Sequence, residues 1–559
     1  QIMDPLGQTY DYGYDGTGDL RTVDLPQVQQ PTPHRDHISY EYYSGHYFKR
    51  ATDPRGYQPV LSTYTSDGRL QTVTDALNNV TAYSYNLQTN TTTISNPDGG
   101  QVTLVYNERG YLLSRTEQLV AGQNPATRTT EYGYDANFNL VTTENGAGEV
   151  TTYTYDSSGH RTSVTVNGQS TPLVTVQYNP YGGPTSISDA LNQTRSIAYD
   201  PATFMPLTAA DSLGTLGKYT WTAQGNPSAR ADADGRVTTY TYDAHGNVLT
   251  ETTGCVWDGN HNPDCTAAVA STTTYTYDTR GRVLTATNGE NETTTYQYDA
   301  LGRVIRVFGP DLDPGTPVVR SLTSYGYDGN GNRTSVTDPL GRTTRYLYDG
   351  ANRLVQVIAP DNATTQTSYN WRGQVLTQRD ASGVVTVYAY NLGGELTSTT
   401  TGCRFNGPAL DCTDPDADAT LYLYDAAGRR ERTIAPGNVH TVNTYDAAGR
   451  LTMVEVGDGV NQPLERTTYV YDALGQRTAT RVYTSISGSG GTYRQTSSQY
   501  DVRGRVTRTT AADSGFTQSF YDGAGHLTVS VDPIGRATQY TYDPQGRMIS
   551  VTQGCILNG

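Results

Sequence analysis

The sequence predicts an all-β fold: an antiparallel meander of β-hairpins coiled into a spiral shell or tube, built from about 23 units of 21 residues or more. Three observations predict it. A Tyr followed by a polar turn recurs along the whole chain, most often 21 residues after the last. The residues before each turn alternate Thr and Tyr, the two-residue period of a strand. And 45 Tyr stand against only 7 Phe, with large aliphatic residues sparse, so a conventional layered core is excluded. Tyr buries a broad ring while keeping its hydroxyl wet, which suits a sheet with water near both faces.

Each unit reads strand, turn, strand, turn. In Thr238-Thr239-Tyr240-Thr241-Tyr242, residues 238, 240 and 242 share one face and 239 and 241 the other. Asp243-Ala244-His245-Gly246 then makes a tight turn, in which the Asp accepts a backbone N–H and the Gly tolerates positive φ. The same anchor recurs at Tyr277, Asp278 and Gly281; at Tyr298, Asp299 and Gly302; at Tyr348 and Asp349; at Tyr445, Asp446 and Gly449; and at Tyr542, Asp543 and Gly546. Counting Trp221 in place of Tyr, the anchor occurs twenty-three times between Tyr14 and Tyr542. A second strand of about six residues leads to a second turn, clearest in Asp338-Pro339-Leu340-Gly341 and Asp532-Pro533-Ile534-Gly535, where Pro supplies the φ that a β-turn wants. Successive hairpins should set Tyr beside Tyr in aromatic ladders. A β-propeller would need four strands per 40–45 residues and a closing element, and the irregular insertions oppose it.

A longer period overlies the first. From Tyr242 to Tyr390, and from there to Tyr542, six units span about 150 residues. Residues 1–559 read as one continuous array, a stretch of a longer chain, with six-hairpin superrepeats at approximately 106–241, 242–389 and 390–541. This suggests a coil whose turn holds about six hairpins. Cysteine-bearing insertions occupy 253–270 and 401–419, and a third starts at 552. Cys255 with Cys265, and Cys403 with Cys412, read as two local disulfides of a secreted or surface protein in an oxidising compartment. Cys555 has no partner within the sequence and would pair beyond Gly559. One Cys pair with His261 lacks a fourth ligand and any C-x-x-C spacing, so a structural zinc site is disfavoured.

The net charge is −16 with only two lysines, which removes the electrostatic basis for nucleic-acid binding. No apolar run approaches the roughly 20 residues of a membrane-spanning helix. The eight histidines are dispersed, no catalytic motif is present, and neither an enzyme activity nor a cofactor is expected. Asp414, Asp416 and Asp418 alternate as Ca²⁺ ligands could, but the Gly and closing Glu of a calcium loop are missing, and a solvated acidic loop is the simpler reading.

The phrase Tyr275-Thr276-Tyr277-Asp278-Thr279-Arg280-Gly281-Arg282, repeated at period 21, resembles the YD repeats of Rhs-family proteins, found also in toxin-complex components, wall-associated proteins and teneurins. The resemblance implies a hollow β-shell, which in the toxin branch encloses a cytotoxic C-terminal segment. The D-P-x-G-L cleavage phrase of such shells is not matched, because Asp4-Pro5-Leu6-Gly7, Asp338-Pro339-Leu340-Gly341 and Asp532-Pro533-Ile534-Gly535 lack the final Leu and sit at ordinary turns. The expected function is a non-catalytic wall around a cargo domain. The alternative is an extracellular filament or adhesin, in which neighbouring copies, cell-surface glycans or proteins are the partners.

Overall fold

The computed structural model describes residues 1–28, 34–119, 126–166, 169–257, 262–266, 269–310, 320–413, 417–459, 463–543 and 546–555. Among them are 49 β-strands and a single 3-10 turn at Pro436–Asn438. Described strands pair antiparallel with their chain neighbours, as Thr293–Tyr298 does with Val304–Phe308. The all-β hairpin meander read from the sequence is the fold. Most strands hold five or six residues, long enough for two or three side chains on each face.

One irregularity recurs at nearly every anchor. The ladder shifts register at the Tyr, where Tyr242 pairs with Val248 but Thr241 with Thr250, leaving Leu249 as a bulge. Bulges add local twist and bend a strand. They recur at one end of each hairpin. Thr fills the bulge in other units and donates its hydroxyl back across the pair, as Thr528 Oγ1 does to Phe520 O at 3.1 Å.

The interior is thin. The largest fully buried residues are Val237, Val385, Pro26, Cys255 and Cys403, so cohesion rests on ladder hydrogen bonds and on one-sided packing. Where the first cysteine insertion leaves the ladder, a small apolar cluster forms. Ala229, Ala231, Val237 and Cys255 are buried together, with Trp257 and Cys265 packed against them.

By its contacts the chain divides into two compact units, residues 1–130 with 275–428, and residues 131–274 with 429–559. Each unit therefore contains an earlier and a later stretch of ribbon.

Candidate functional site: the turn rims and the seam between them

Every hairpin ribbon has two rims, one made of the Tyr-Asp turns and one of the second turns. The turn at Asp299 shows how the first is built. Asp299 N–H donates to Arg303 O at 2.9 Å, and Gly302 N–H to Asp299 O at 3.0 Å. Asp299 Oδ1 accepts the N–H groups of Leu301 and Arg303, and Oδ2 accepts Arg303 Nε–H at 2.6 Å. The guanidinium then reaches the next hairpin: Nη1 donates to Asp328 O at 2.9 Å and the group lies 4.9 Å from the Tyr327 ring centroid. Tyr327 closes the circuit by donating its hydroxyl to Val304 O at 2.8 Å. Carboxylate, guanidinium and ring are satisfied among themselves, which explains the fixed offset from Tyr to Asp to the fifth turn residue.

This corrects the expected Tyr-on-Tyr ladder. Consecutive anchors are two strands apart, roughly 10 Å, as a rule beyond ring contact, although Tyr64 meets Tyr43 at 6.3 Å and Tyr47 at 5.1 Å. The fifth turn residue fills the gap instead. Arg282 stacks on Tyr298 and Arg353 on Tyr369. His526 lies 4.7 Å from Tyr542, centroid to centroid, with Nδ1 2.8 Å from Asp522 Oδ2. When Asn replaces the first Asp, the fifth residue changes with it, and Asn391 Nδ2 donates to Glu395 Oε2 at 2.7 Å. Trp221 performs the anchor's whole task, donating Nε1–H to Pro206 O at 2.9 Å. Burial pushes the phenols of Tyr242, Tyr298 and Tyr327 above the ordinary value. Burial also disfavours the charged form of Asp278, but the Arg282 side chain and two backbone N–H groups outweigh it and hold that carboxyl below the ordinary range.

Of the sequence-predicted repeat residues, Tyr242, Asp243, Gly246, Tyr277, Asp278, Gly281, Tyr298, Asp299, Gly302, Tyr445, Asp446, Gly449, Tyr542 and Gly546 all stand where the hairpin needs them. Gly302 has φ +88°, and at Asp349 an Asn352 with φ +62° takes the glycine's place after Tyr348. The sulfur atoms of Cys255 and Cys265 lie 1.98 Å apart and those of Cys403 and Cys412 2.09 Å apart. Cys555 pairs through its backbone with Ala537, the register that Cys255 holds to Val237 and Cys403 to Val385. Asp418 opens an exposed strand, whereas Asp414, Asp416 and His261 lie outside the described residues.

The second arrangement, a seam, is absent from the expectations above. In each unit the second turns of the earlier stretch meet Tyr-Asp turns of the later one. In the first unit Asp4 pairs with Arg280 and Arg128 with Glu395, while Arg55 Nη1 lies 3.4 Å from Asp328 and Arg372 Nη2 3.5 Å from Asp98. Asn330 donates to Asp53, and Leu392 N–H donates to Leu119 O at 3.0 Å. In the second unit Arg429 binds Glu149 at 2.7 Å, and Arg503 forks onto Asp211 through Nε at 2.7 Å and Nη2 at 3.1 Å. Partners are 267 to 294 residues apart. In these ion pairs the second turn meets the Tyr turn twelve anchors further on, and Arg55 also reaches Asp349 O one anchor beyond. The six-hairpin period of the sequence is half the spacing of these contacts.

Asp211 and Arg503 are half-buried residues whose side chains are largely shielded, at 3 % and 11 % exposure. The Arg503 hydrogen bond holds the Asp211 carboxyl below its ordinary value despite desolvation, and Asp211 in turn raises Arg503. Close by, Asp234, Asp522 and His526 bring three possible metal ligands within 4.8 Å of one another. Arg236 Nη1 lies 2.7 Å from Asp234 and Nη2 3.7 Å from Asp522. A guanidinium is thus the cation beside that cluster. A cavity of about 650 Å³ opens beside it, lined by Arg230, Arg236, Arg503, Arg505 and His526. Arg503 and Arg505 are each committed to an Asp. Such a surface joins rows of turns.

A polar hairpin wall zipped to itself by charge is the class of protein this geometry defines. The RHS repeat family matches residues 64–101, 221–261, 277–307, 327–364 and 521–554. The chain carries RHS repeats over these five stretches. No curated protein sequence matches it. Among solved structures it is similar to the crystal structure of TcdB2-TccC3-TEV, with TM-score 0.64 and 14 % identity over 99 % of this chain and 35 % of that one. It is equally similar to the Photorhabdus luminescens Tc holotoxin pore, with TM-score 0.64 and 15 % identity over 99 % of this chain and 34 % of that one. The crystal structure of TcdB2-TccC3 gives TM-score 0.60 at 15 % identity, over 99 % and 36 %. The chain spans about a third of the length of these relatives. At such identities the likeness is one of fold.

Proposed function

We propose that this chain is a structural, non-catalytic part of an Rhs-type β-shell, secreted or held at a cell surface, whose wall encloses a cargo such as a C-terminal toxin domain. The observation that carries the reading is the seam. Rows of turns twelve hairpins apart are zipped by paired charges, and side chains and backbone within each turn satisfy one another. That arrangement makes a continuous barrier, which is what a container requires and a catalyst does not. The similarity to Tc holotoxin components supports a toxin context. The two cysteine pairs at bonding distance support disulfides and an oxidising compartment. No described helix is long and apolar enough to cross a membrane.

The test is electron microscopy of the whole native polypeptide combined with limited proteolysis. Closed capsules that shield a segment from protease until the wall is denatured are expected. Long open fibres with every segment accessible would establish the filament or adhesin instead, with neighbouring copies or cell-surface glycans and proteins as partners.

A further inference from the structure

In the second unit the seam is tied to a disulfide. Arg236 reaches across that seam, with Nη1 2.7 Å from Asp234 and Nη2 3.7 Å from Asp522. Its strand is flanked by the first cysteine insertion, where Arg236 pairs through its backbone with Val256 and Val237 with Cys255. Cys255 and Val237 are fully buried, together with Ala229 and Ala231. Thr253 and Gly254, just before the cysteine, line the cavity beside Arg236 and Arg503. Past Cys255 the insertion pairs with itself at Val256 with Asp264 and Trp257 with Pro263. The Cys255–Cys265 bond closes the root of this short ladder and so fixes the strand that Arg236 stands against.

The two sulfurs are unequal. Cys255 is 0 % exposed, whereas Cys265 packs against the cluster and is half-buried, so an incoming thiolate meets Cys265 first. The second cysteine pair shares the register, Val385 holding Cys403 as Val237 holds Cys255. The residue before Val385 is Val384, however, which has no charge to carry a seam. We propose that the first disulfide is a redox-controlled clamp on the seam, opened by thiol–disulfide exchange with a dithiol. One thiolate of the dithiol attacks Cys265 Sγ, the Cys255–Cys265 bond breaks, and Cys255 leaves with the proton that the attacking thiol gave up. The second thiol then attacks the mixed disulfide, the dithiol closes to its own disulfide, and Cys265 is released as a thiol. Two electrons and two protons pass from the dithiol to the two cysteines. Without the bond, the strand at Cys255–Trp257 frays from Arg236 and Val237, and Arg236 loses its backing opposite Asp522. The wall holds in an oxidising compartment and loosens at this seam in a reducing one. The inference rests on the reading of Cys255 and Cys265 as bonded, and it stands whether or not the wall holds a cargo.

The experiment is amide exchange of the oxidised 559-residue protein before and after dithiothreitol, with free thiols mapped by mass spectrometry. Once Cys255 and Cys265 are free, residues 229–239, 253–257 and 521–526 should exchange about ten-fold faster. Residues 328–332 and 391–395, in the seam of the first unit, should not change although Cys403 and Cys412 are reduced as well. Cys255→Ala with Cys265→Ala should show the faster rates without reductant and no further response to it. Cys403→Ala with Cys412→Ala should keep the full response at 521–526. Unchanged rates at 521–526 with Cys255 and Cys265 shown to be free overturn the clamp. A response that persists in the Cys255→Ala, Cys265→Ala variant overturns it as well. Free thiols at both positions in protein taken from an oxidising compartment without reductant overturn the bonded reading itself, and the clamp with it.

Discussion

Gly16 and Gly350 occupy the same place in the same turn, directly after the Asp, and meet different surroundings. A Cβ on Gly16 would touch nothing within 4 Å, whereas one on Gly350 would lie 2.7 Å from the Tyr57 ring and 3.2 Å from Ala76 O. Gly329 behaves like Gly350, closing on Asp36 and Pro54 at 2.8 Å, and in the second unit Gly523 closes on Asp234 and the Ala233 carbonyl. The turn motif builds the hairpin in all four cases. Whether the turn then serves a seam depends on which stretch of ribbon carries it. Identical local chemistry thus acquires two roles, and the open Tyr-Asp turns of the earlier stretches are the internal control for the engaged ones.

The comparison breaks most severely at the buried charge pair. Arg503→Glu would set two carboxylates together where Asp211 is 3 % exposed. Loss of one partner of a buried pair costs about 3–5 kcal/mol, and reversal should cost at least that. In a repeat array the loss is local, so amide exchange of residues 501–525 should accelerate strongly while the first unit is unchanged. Asp211→Arg combined with Arg503→Glu should recover much of the protection. Arg109→Glu, on an exposed turn of the open rim, should shift stability by less than about 0.5 kcal/mol.

The glycines sharpen it next. Gly350→Ala must move either Tyr57 or the turn, costing about 1–3 kcal/mol as overpacking does, while Gly16→Ala should be neutral or slightly stabilising through the unfolded chain. Equal effects at the two positions, measured by exchange protection of each turn, would mean that the seam does not form in solution.

These cases also show what could be read from sequence. Tyr298, Asp299 and Gly302 were legible because turn geometry is local: the Asp must cap amides two and four residues on, and the fourth residue needs positive φ. The cysteine insertions were legible because 255 and 265, and 403 and 412, are close in sequence. Asp211 and Arg503, 292 residues apart, were not, since a uniform repeat offers many equivalent registers and nothing local selects one. A faint signal did exist. Gly at the second turn position and Arg at the third are frequent in later turns, as in Gly329, Gly350 and Gly523 with Arg280, Arg372 and Arg503, and uncommon in the Tyr-Asp turns before 274. Tyr-on-Tyr ladders were expected wrongly because the period was read in residues and not as a distance across two strands.

A smaller effect separates the anchors. Tyr298→Phe removes a hydroxyl that donates to Val283 O at 2.8 Å from a half-buried ring, so about 1 kcal/mol of local stability should be lost. Tyr14 is 63 % exposed, and its Phe variant should fall within about 0.5 kcal/mol of the parent. Fluorescence-monitored melting would miss a change confined to one hairpin, and exchange at residues 283–304 against residues 9–24 would resolve it.

The smallest expected effect is none, and it concerns acid. Arg503 holds Asp211 below the ordinary carboxyl value of 3.8 against the cost of burial. Asp501 and Asp522 are also lowered, because their bonds to Arg505 and His526 and to backbone N–H groups overcome a larger desolvation that alone would raise them. A carboxyl whose value falls on folding contributes its stability in full above the unfolded value, and loses it only as pH drops through the lower, folded one. These pairs therefore keep their contribution from pH 8 to pH 5 and begin to lose it below about pH 4. Exchange rates at residues 501–525, corrected for intrinsic chemistry, should be no faster at pH 5 than at pH 8, as should those of the open turn at Asp67. If the engaged turn alone loosened at pH 5, the seam would owe its strength to some other group than its carboxylates, and the charge-paired zipper would be the wrong account of how the wall is held closed.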